Sequence, residues 1–197
     1  HASAVIAAGA DMIVAEGQEG GGHIGTISTL PLVAQVRRAA SMEVPLIAAG
    51  GIGDGTQLVA CLAMGAVGVM MGTRFLIADE CPVHDAVKER LLACGAEDTT
   101  VTGRFTGFPM RCIANEFTST FRKEEITRGY EMLNFGAGKI NAGLMDGDIA
   151  NGSLPAGQVI GQITKRQTAA EIMTEIITEA ESLTRRIIGN KGFDHWS

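Results

Sequence analysis

One histidine stands inside a glycine-rich segment. The residues Gly20-Gly21-Gly22-His23-Ile24-Gly25 follow a short apolar run that ends at Gly17. Imidazole is the side chain best suited to proton transfer near neutral pH, and glycines let a flat ligand lie against the backbone. We therefore predict His23 as a catalytic residue. Without further signals nearby, the alternative of an exposed loop histidine would be the better interpretation.

Two glycine turns further along the chain supply those signals. The first is Ala49-Gly50-Gly51-Ile52, continued by Gly53-Asp54-Gly55, and the second is Met71-Gly72-Thr73. A phosphate group needs several backbone N–H donors aimed at one point, and a helix beginning near Gly55 would add its positive dipole end. Either turn alone could be a tight connection, and Asp54 is best interpreted as a helix cap. Together, the two turns predict a phosphate site.

Three apolar runs, 11–17, 44–51 and 66–73, are interpreted as the strands that carry these segments. Helices are predicted from Thr29, between Gly55 and Gly65, and over Val83 to Cys94. Strand and helix alternate, which is typical of βαβ units and predicts a parallel α/β sheet. In (β/α)8 barrels the loops after strands seven and eight often bind phosphate, so the three runs are predicted as strands six, seven and eight.

The remaining residues predict a three-part organisation. Residues 1–95 form the C-terminal strands and helices of the barrel, and residues 96–167 form a mostly helical inserted or appended subdomain. Residues 168–197 form a C-terminal helix that begins with the capping pair Thr168 and Glu171. The unpaired first edge of the sheet and the start at His1 predict further strands upstream, or a partner that supplies them.

Composition excludes several classes of function. The net charge of −6 provides no basic field for nucleic acid. No apolar run has the length of a membrane span and no secretory signal is visible, so we expect a cytoplasmic protein without a membrane partner. The four cysteines lack metal-ligand spacing, so we expect reduced thiols and no metal site.

A third glycine-rich segment, Gly152-Ser153-Leu154-Pro155-Ala156-Gly157-Gln158, completes a family resemblance. Together with AEGQEGGGHIG (15–25), VPLIAAGGIGDG (44–55) and GVMMGTRFL (68–76), it resembles the nitronate monooxygenase and enoyl-acyl-carrier-protein reductase II family of flavin mononucleotide (FMN)-dependent barrels. The GAG (136–138), GD and GSxxAGQ elements are closer to the enoyl reductase branch. The first five strands of the family have no counterpart in this sequence.

The resemblance implies FMN as cofactor, NADH or NADPH as reductant, and His23 beside the flavin and substrate. The implied cofactor-binding residues are Gly21, Gly22, Ala49, Gly50, Gly51, Met71, Gly72, Thr73 and Gln158. The first hypothesis is reduction of an enoyl thioester on acyl carrier protein in fatty acid synthesis, and the second is oxidation of alkyl nitronates by oxygen. A third is a non-catalytic fragment that needs its missing N-terminal half from another chain, and a homodimer also stays open. A phosphate-binding barrel enzyme without flavin would leave the histidine loop unexplained.

Overall fold

The computed structural model describes residues 2–40 and 44–189. Its first part alternates strands and helices in the predicted order: α1 (Ala2–Ala7), β1 (Ile13–Glu16), β2 (Gly22–His23), α2 (Thr29–Ala39), β3 (Leu46–Ala49), α3 (Gly55–Ala63), β4 (Gly68–Met70), α4 (Thr73–Leu76) and α5 (Asp85–Leu92). Strands β1, β3 and β4 form a parallel sheet in the order β1-β3-β4, with Ala15 opposite Ala48 and Ala48 opposite Val69. The predicted parallel α/β sheet is therefore confirmed.

The two faces of this sheet are covered unequally within the described residues. Ile13, Leu46 and Ala48 are buried against α2, whose Val33 has no exposed surface. On the other face Val14 and Met70 are 45% and 48% exposed. Ala49, which pairs with Met70 on that face, is 1% exposed, so the second face is covered in part.

The segment after α5 contains strands that the sequence did not predict. Strands β5 (Thr99–Thr102) and β6 (Met110–Ile113) are antiparallel, and β6 also pairs with β2, which places His23 opposite Met110. The expectation of a mostly helical subdomain over 96–167 did not include these strands, which accompany the helices described next. Pattern alone did not identify β5, because three of its four residues are threonine, and β2 is too short to show alternation.

Three helices follow this second sheet: α6 (Glu116–Arg128), α7 (Met132–Gly136) and α8 (Lys139–Leu144). They enclose an aromatic cluster in which the rings of Phe117 and Phe135 stack with centroids 5.5 Å apart and Phe105 meets Tyr130 edge-on at 5.6 Å. Such pairs stabilise by about 1 kcal/mol beyond burial of their area. The cluster holds α6 and α7 together.

The last helix, α9 (Ala169–Gly189), packs against α3. The predicted capping pair is confirmed, since Thr168 N donates to Glu171 Oε2 at 2.8 Å and Glu171 N donates to Thr168 Oγ1 at 3.2 Å. Residues 190–197 of the predicted C-terminal segment lie outside the described residues. The boundaries at 95/96 and 167/168 stay predictions.

Two observations bear on the membrane span and the metal site that the sequence argued against. Of the helices that the structure describes, none combines the length and apolar character needed to cross a membrane. All four cysteines are free thiols, and the described residues contain no cluster of three His, Cys, Asp or Glu side chains that could hold a metal ion.

Candidate active site

The two glycine turns line a single cavity of about 390 Å³ at the carboxyl ends of the parallel strands. This cavity, called the glycine cavity below, is lined by both turns and by part of the histidine loop, though not by Gly53, Asp54 or Gly55: the predicted cofactor-binding residues among its lining are Ala49, Gly50, Gly51, Met71, Gly72, Thr73 and Gly21. The prediction that the two turns converge is therefore confirmed. They converge because β3 and β4 are neighbours and end at the same edge of the sheet.

Free backbone donors line this cavity. Among the described residues, the N–H groups of Gly50, Gly51, Gly72 and Thr73 donate to no protein acceptor. Thr73 is buried and Gly50 and Gly51 are half-buried, where amides normally find a partner, whereas Gly72 is exposed. Donors grouped at a cavity in this way favour an anionic ligand. At Gly72 a Cβ atom would meet nothing within 4 Å, which leaves space for a ligand against the backbone.

Glycine is required at position 50 for a different reason. Gly50 has φ +91° and lies so close to the neighbouring strand end that an added Cβ would be 2.7 Å from the carbonyl oxygen of Gly17. A side chain would therefore meet both backbone strain and a steric clash. The turn can hold this shape only with glycine.

The N-terminus of α3 does not face the glycine cavity, which corrects the expectation that its dipole contacts the phosphate. Gly55 N donates to Glu179 Oε2 of α9 at 3.0 Å, and Gly53 N donates to Gln57 Oε1 at 2.7 Å. Asp54 caps the helix by accepting from Gln57 N at 2.8 Å, so its predicted capping role is confirmed. The packing of α9 on α3 thus occupies the Gly55 donor, and a side chain of α3 itself occupies the Gly53 donor.

Thr73 joins the glycine cavity to the third glycine-rich segment. Its side chain is buried, and its Oγ1 accepts a hydrogen bond from Gly157 N at 2.9 Å. Its hydroxyl proton stays available for a ligand oxygen in the cavity. Thr73 can therefore bind an anion through its side chain as well as its backbone.

Glu19 fixes the histidine loop, a role that the sequence did not reveal. Its Oε2 accepts from Thr29 N and from Thr29 Oγ1, both at 2.9 Å, and its carbonyl accepts from Gln158 N at 2.9 Å. Thr29 Oγ1 also lies 2.8 Å from the carbonyl oxygen of Gly50. The Glu19 side chain therefore ties the loop to α2 and, through Thr29, to the first glycine turn.

Arg111 holds the same loop from the second sheet. This side chain is buried on β6, where Nε donates to the Gln18 carbonyl at 3.0 Å and Nη1 donates to Thr99 Oγ1 at 2.9 Å. Sequence reasoning missed this contact as well, because 93 residues separate Arg111 from Gln18.

His23 lies in a second cavity of about 550 Å³ beside the first. The linings of the two cavities come from the same two segments: Gly21 and Pro155 line the glycine cavity, while His23 and Ser153, each two residues away, line its neighbour. The imidazole is exposed and has no hydrogen-bond partner among the described residues. The expectation that His23 opens into the phosphate-binding cavity is therefore corrected: it lies at the boundary, in the adjoining one.

Two predicted cofactor residues lie near the glycine cavity without lining it. Gly22 connects Gly21 to His23 and has φ +80°, and Gln158 begins the 3₁₀-helix Gln158–Gln162. The residues on either side of Gln158, Gly157 and Val159, do line the cavity.

Glu16 is an ionisable side chain in the glycine cavity that the predicted site did not include. It ends β1 and is half-buried. Burial raises the pKa of its carboxyl above the ordinary value of 4.5.

Free amides at the ends of parallel strands, beside a histidine, define an anion-binding site of the type found in α/β enzymes. The chain belongs to the nitronate monooxygenase family, whose model matches residues 1–179. This confirms the family resemblance. The relatives described next include oxidoreductases.

Two solved structures and one curated relative show how far the likeness extends. FabK from Thermotoga maritima superposes with a TM-score of 0.91 at 36% identity, over 95% of this chain and 60% of that one. Nitroalkane oxidase from Streptomyces ansochromogenes gives a TM-score of 0.78 at 33% identity, over 94% of this chain and 56% of that one. A (3aS,4S,5R,7aS)-5-hydroxy-7a-methyl-1-oxo-octahydro-1H-indene-4-carboxyl-CoA dehydrogenase of Mycobacterium tuberculosis is 34% identical over 91% of this chain and 62% of its own length. The chain thus spans about three fifths of the length of these relatives.

Proposed function

We propose that this chain is the cofactor-binding part of an FMN-dependent oxidoreductase that reduces enoyl thioesters with NADH or NADPH. The observation that carries the proposal is the position of His23, at the boundary between a cavity of free backbone amides and a second, apolar cavity. A cofactor phosphate and an organic substrate require these two environments.

The glycine cavity fits the phosphate end of FMN. The N–H groups of Gly50, Gly51, Gly72 and Thr73 would bind the phosphate oxygens, with the Thr73 hydroxyl as a further donor. Ala49 and Met71 line the same cavity, and so does Gly21, which lies directly against the backbone of Ala156 and Gly157. Gly22 and Gln158 would act by holding the histidine loop against the segment that ends at Gly157.

His23 would position the thioester or donate the proton that completes reduction. When bound, FMN would supply the hydride, and NADH or NADPH would reduce the flavin again. The unpartnered imidazole can contact a substrate in the second cavity. General acid catalysis by a positioned imidazole contributes about 10²- to 10⁴-fold.

A thioester substrate is supported by the Mycobacterium tuberculosis relative, whose name specifies a coenzyme A thioester of a bicyclic acid. Acyl carrier protein is the proposed carrier in the enoyl reductase branch. For that branch the pathway would be fatty acid synthesis.

Oxidation of alkyl nitronates is the second candidate. It is favoured by the matched family model and by the likeness to nitroalkane oxidase. Here His23 would remove a proton from an alkyl nitro compound or bind its nitronate. Oxygen uptake with a nitronate and without nicotinamide would support this candidate, whereas NAD(P)H consumption that depends on a crotonyl thioester supports the first.

The place of these strands in a complete barrel is also a proposal. We assign β1, β3 and β4 to barrel strands six, seven and eight, with strands one to five supplied by further sequence or by a different chain. The open edge of β1 and the exposed Val14 and Met70 support this assignment.

The first test is an absorption spectrum of the chain purified together with the sequence or partner chain that supplies strands one to five, followed by the substitution His23→Ala. We expect flavin bands, a loss of thioester-dependent NAD(P)H consumption of about 10²- to 10⁴-fold in the variant, and unchanged flavin content. His84→Asn is the matched control, because His84 is an exposed cap of α5 that asparagine can replace. Absence of flavin, or loss of flavin with unchanged turnover per bound flavin, would contradict the proposal.

A further inference from the structure

The second cavity, in which His23 lies, is built almost entirely from apolar side chains of the second sheet and its helices. We call it the aromatic cavity; its larger lining residues are Phe108, Phe117, Phe121, Met132, Leu133 and Ile140. No backbone donor cluster of the kind found in the glycine cavity accompanies them. Such a lining favours hydrocarbon over a polar ligand.

We propose that the aromatic cavity binds the acyl body of the substrate and selects bodies larger than a six-carbon ring. The inference rests on the proposed function in taking a thioester as the ligand. Its volume of about 550 Å³ is several times the roughly 150 Å³ of a cavity that binds benzene. A short nitroalkane or a crotonyl group would leave most of this apolar surface without contact.

The polar residues of the cavity indicate how the ligand lies in it. Besides His23, the side chains with a hydroxyl group that line it are Thr102, Thr106, Tyr130 and Ser153. Ser153 lies two residues before Pro155, which lines the glycine cavity, so His23 and Ser153 mark the side where the two cavities meet. The thioester carbonyl therefore lies at this side, and the acyl body extends away from it among the phenylalanines.

Ser153 is a positioned hydroxyl at this polar end. It is 3% exposed, and its Oγ lies 3.2 Å from Cys112 Sγ. Burial raises the pKa of the Cys112 thiol to about 11, so the thiol keeps its proton at neutral pH and can donate to Ser153. The Ser153 hydroxyl is then free to donate to a ligand carbonyl.

The rim of the cavity carries exposed aromatic and aliphatic side chains. Phe108 is 74% exposed, Tyr130 is 69% exposed and Leu133 is 52% exposed, and all three line the cavity. Large apolar side chains grouped at one opening favour an apolar ligand passing between them. The acyl body would cover these surfaces where it enters.

Binding of saturated acyl-coenzyme A thioesters to the purified chain tests the proposal, because the aromatic cavity consists of residues of this chain. We would measure affinity by calorimetry for butyryl-, hexanoyl-, octanoyl- and decanoyl-coenzyme A. Affinity is expected to rise by about fourfold per added methylene. Affinity that does not change with acyl length would overturn the proposal.

The substitution Gly136→Leu fills the cavity and locates the effect. An added Cβ at Gly136 would lie 3.6 Å from Phe121 Cε2, which is ordinary contact, so the larger side chain extends into the cavity. We expect butyryl-coenzyme A to bind as before and the gain from octanoyl to decanoyl to disappear. Ala137→Leu, on the same wall, is the second variant should Gly136→Leu fail to fold.

Gly189→Leu is the matched control, since Gly189 ends α9 with nothing within 4 Å of an added Cβ and does not line the cavity. It should leave the whole length series unchanged. A series that stays equally steep in Gly136→Leu and Ala137→Leu would overturn the proposal, because the acyl groups would then bind elsewhere. Length-dependent binding without any enoyl reduction would support the cavity assignment while contradicting the proposed reaction.

Discussion

The two cavities that meet near His23 are built in opposite ways. The glycine cavity presents backbone: its donors are N–H groups at the ends of β3 and β4. The aromatic cavity presents side chains from the second sheet and helices α6 to α8. The shape of the glycine cavity depends on the path of the backbone, whereas the shape of the aromatic cavity depends on the identity of its side chains.

This difference determines how each cavity can change. Substitution of side chains around the aromatic cavity can alter its size while the backbone stays in place. The glycine cavity cannot be adjusted in that way, because a side chain at Gly50 would clash with Gly17. We therefore expect relatives to share the anion site and to differ in the substrates they accept.

The substitution Gly50→Ala is the strongest way to break the glycine cavity. Positive φ and the clash with the Gly17 carbonyl should together lower the free energy of unfolding by about 2 to 4 kcal/mol. Urea titration measures this change, and FMN affinity should fall with it.

Gly107→Ala is the control for Gly50→Ala. Gly107 also has a positive φ, +79°, but an added Cβ would meet nothing within 4 Å. Gly107→Ala should lower the free energy of unfolding through backbone strain alone, by about 1 to 2 kcal/mol. An equal cost for both substitutions would show that close packing at Gly50 contributes nothing.

The same contrast explains what the sequence could predict. The strands β1, β3 and β4 and the glycine turns follow from local apolar runs and punctuating glycines, so their convergence was predictable. The aromatic cavity depends on contacts between distant segments, such as the pairing of His23 with Met110, and no local pattern indicates them. For the same reason, the tie between Glu19 and Thr29 and the position of Arg111 were missed.

Arg111 joins the two regions, and Arg111→Met tests how much that connection stabilises the molecule. The variant keeps an apolar stem but loses the donors to the Gln18 carbonyl and to Thr99. Loss of buried hydrogen bonds from a charged donor should lower the free energy of unfolding by about 1.5 to 3 kcal/mol.

Arg122→Met provides the matched comparison for Arg111→Met. Arg122 donates to Thr100 Oγ1 at 3.1 Å. Thr100 lies on β5 beside Thr99, the partner of Arg111, but the hydrogen bond of Arg122 is exposed. Its replacement should change stability by less than about 0.5 kcal/mol. Similar costs for the two variants would contradict the anchoring role of Arg111.

The smallest expected effect is a dependence of stability on pH that arises in the glycine cavity. Burial raises the pKa of Glu16 above 4.5, so over the interval between 4.5 and that raised value the folded chain keeps a proton that the unfolded chain has lost. The free energy of unfolding should therefore fall as the pH rises through this interval. Glu16→Gln cannot titrate and should remove this part of the slope, which urea titrations at closely spaced pH values would detect. An unchanged slope would mean that the Glu16 carboxyl is as well solvated in the folded chain as in the unfolded one, and that the glycine cavity is open to water at β1.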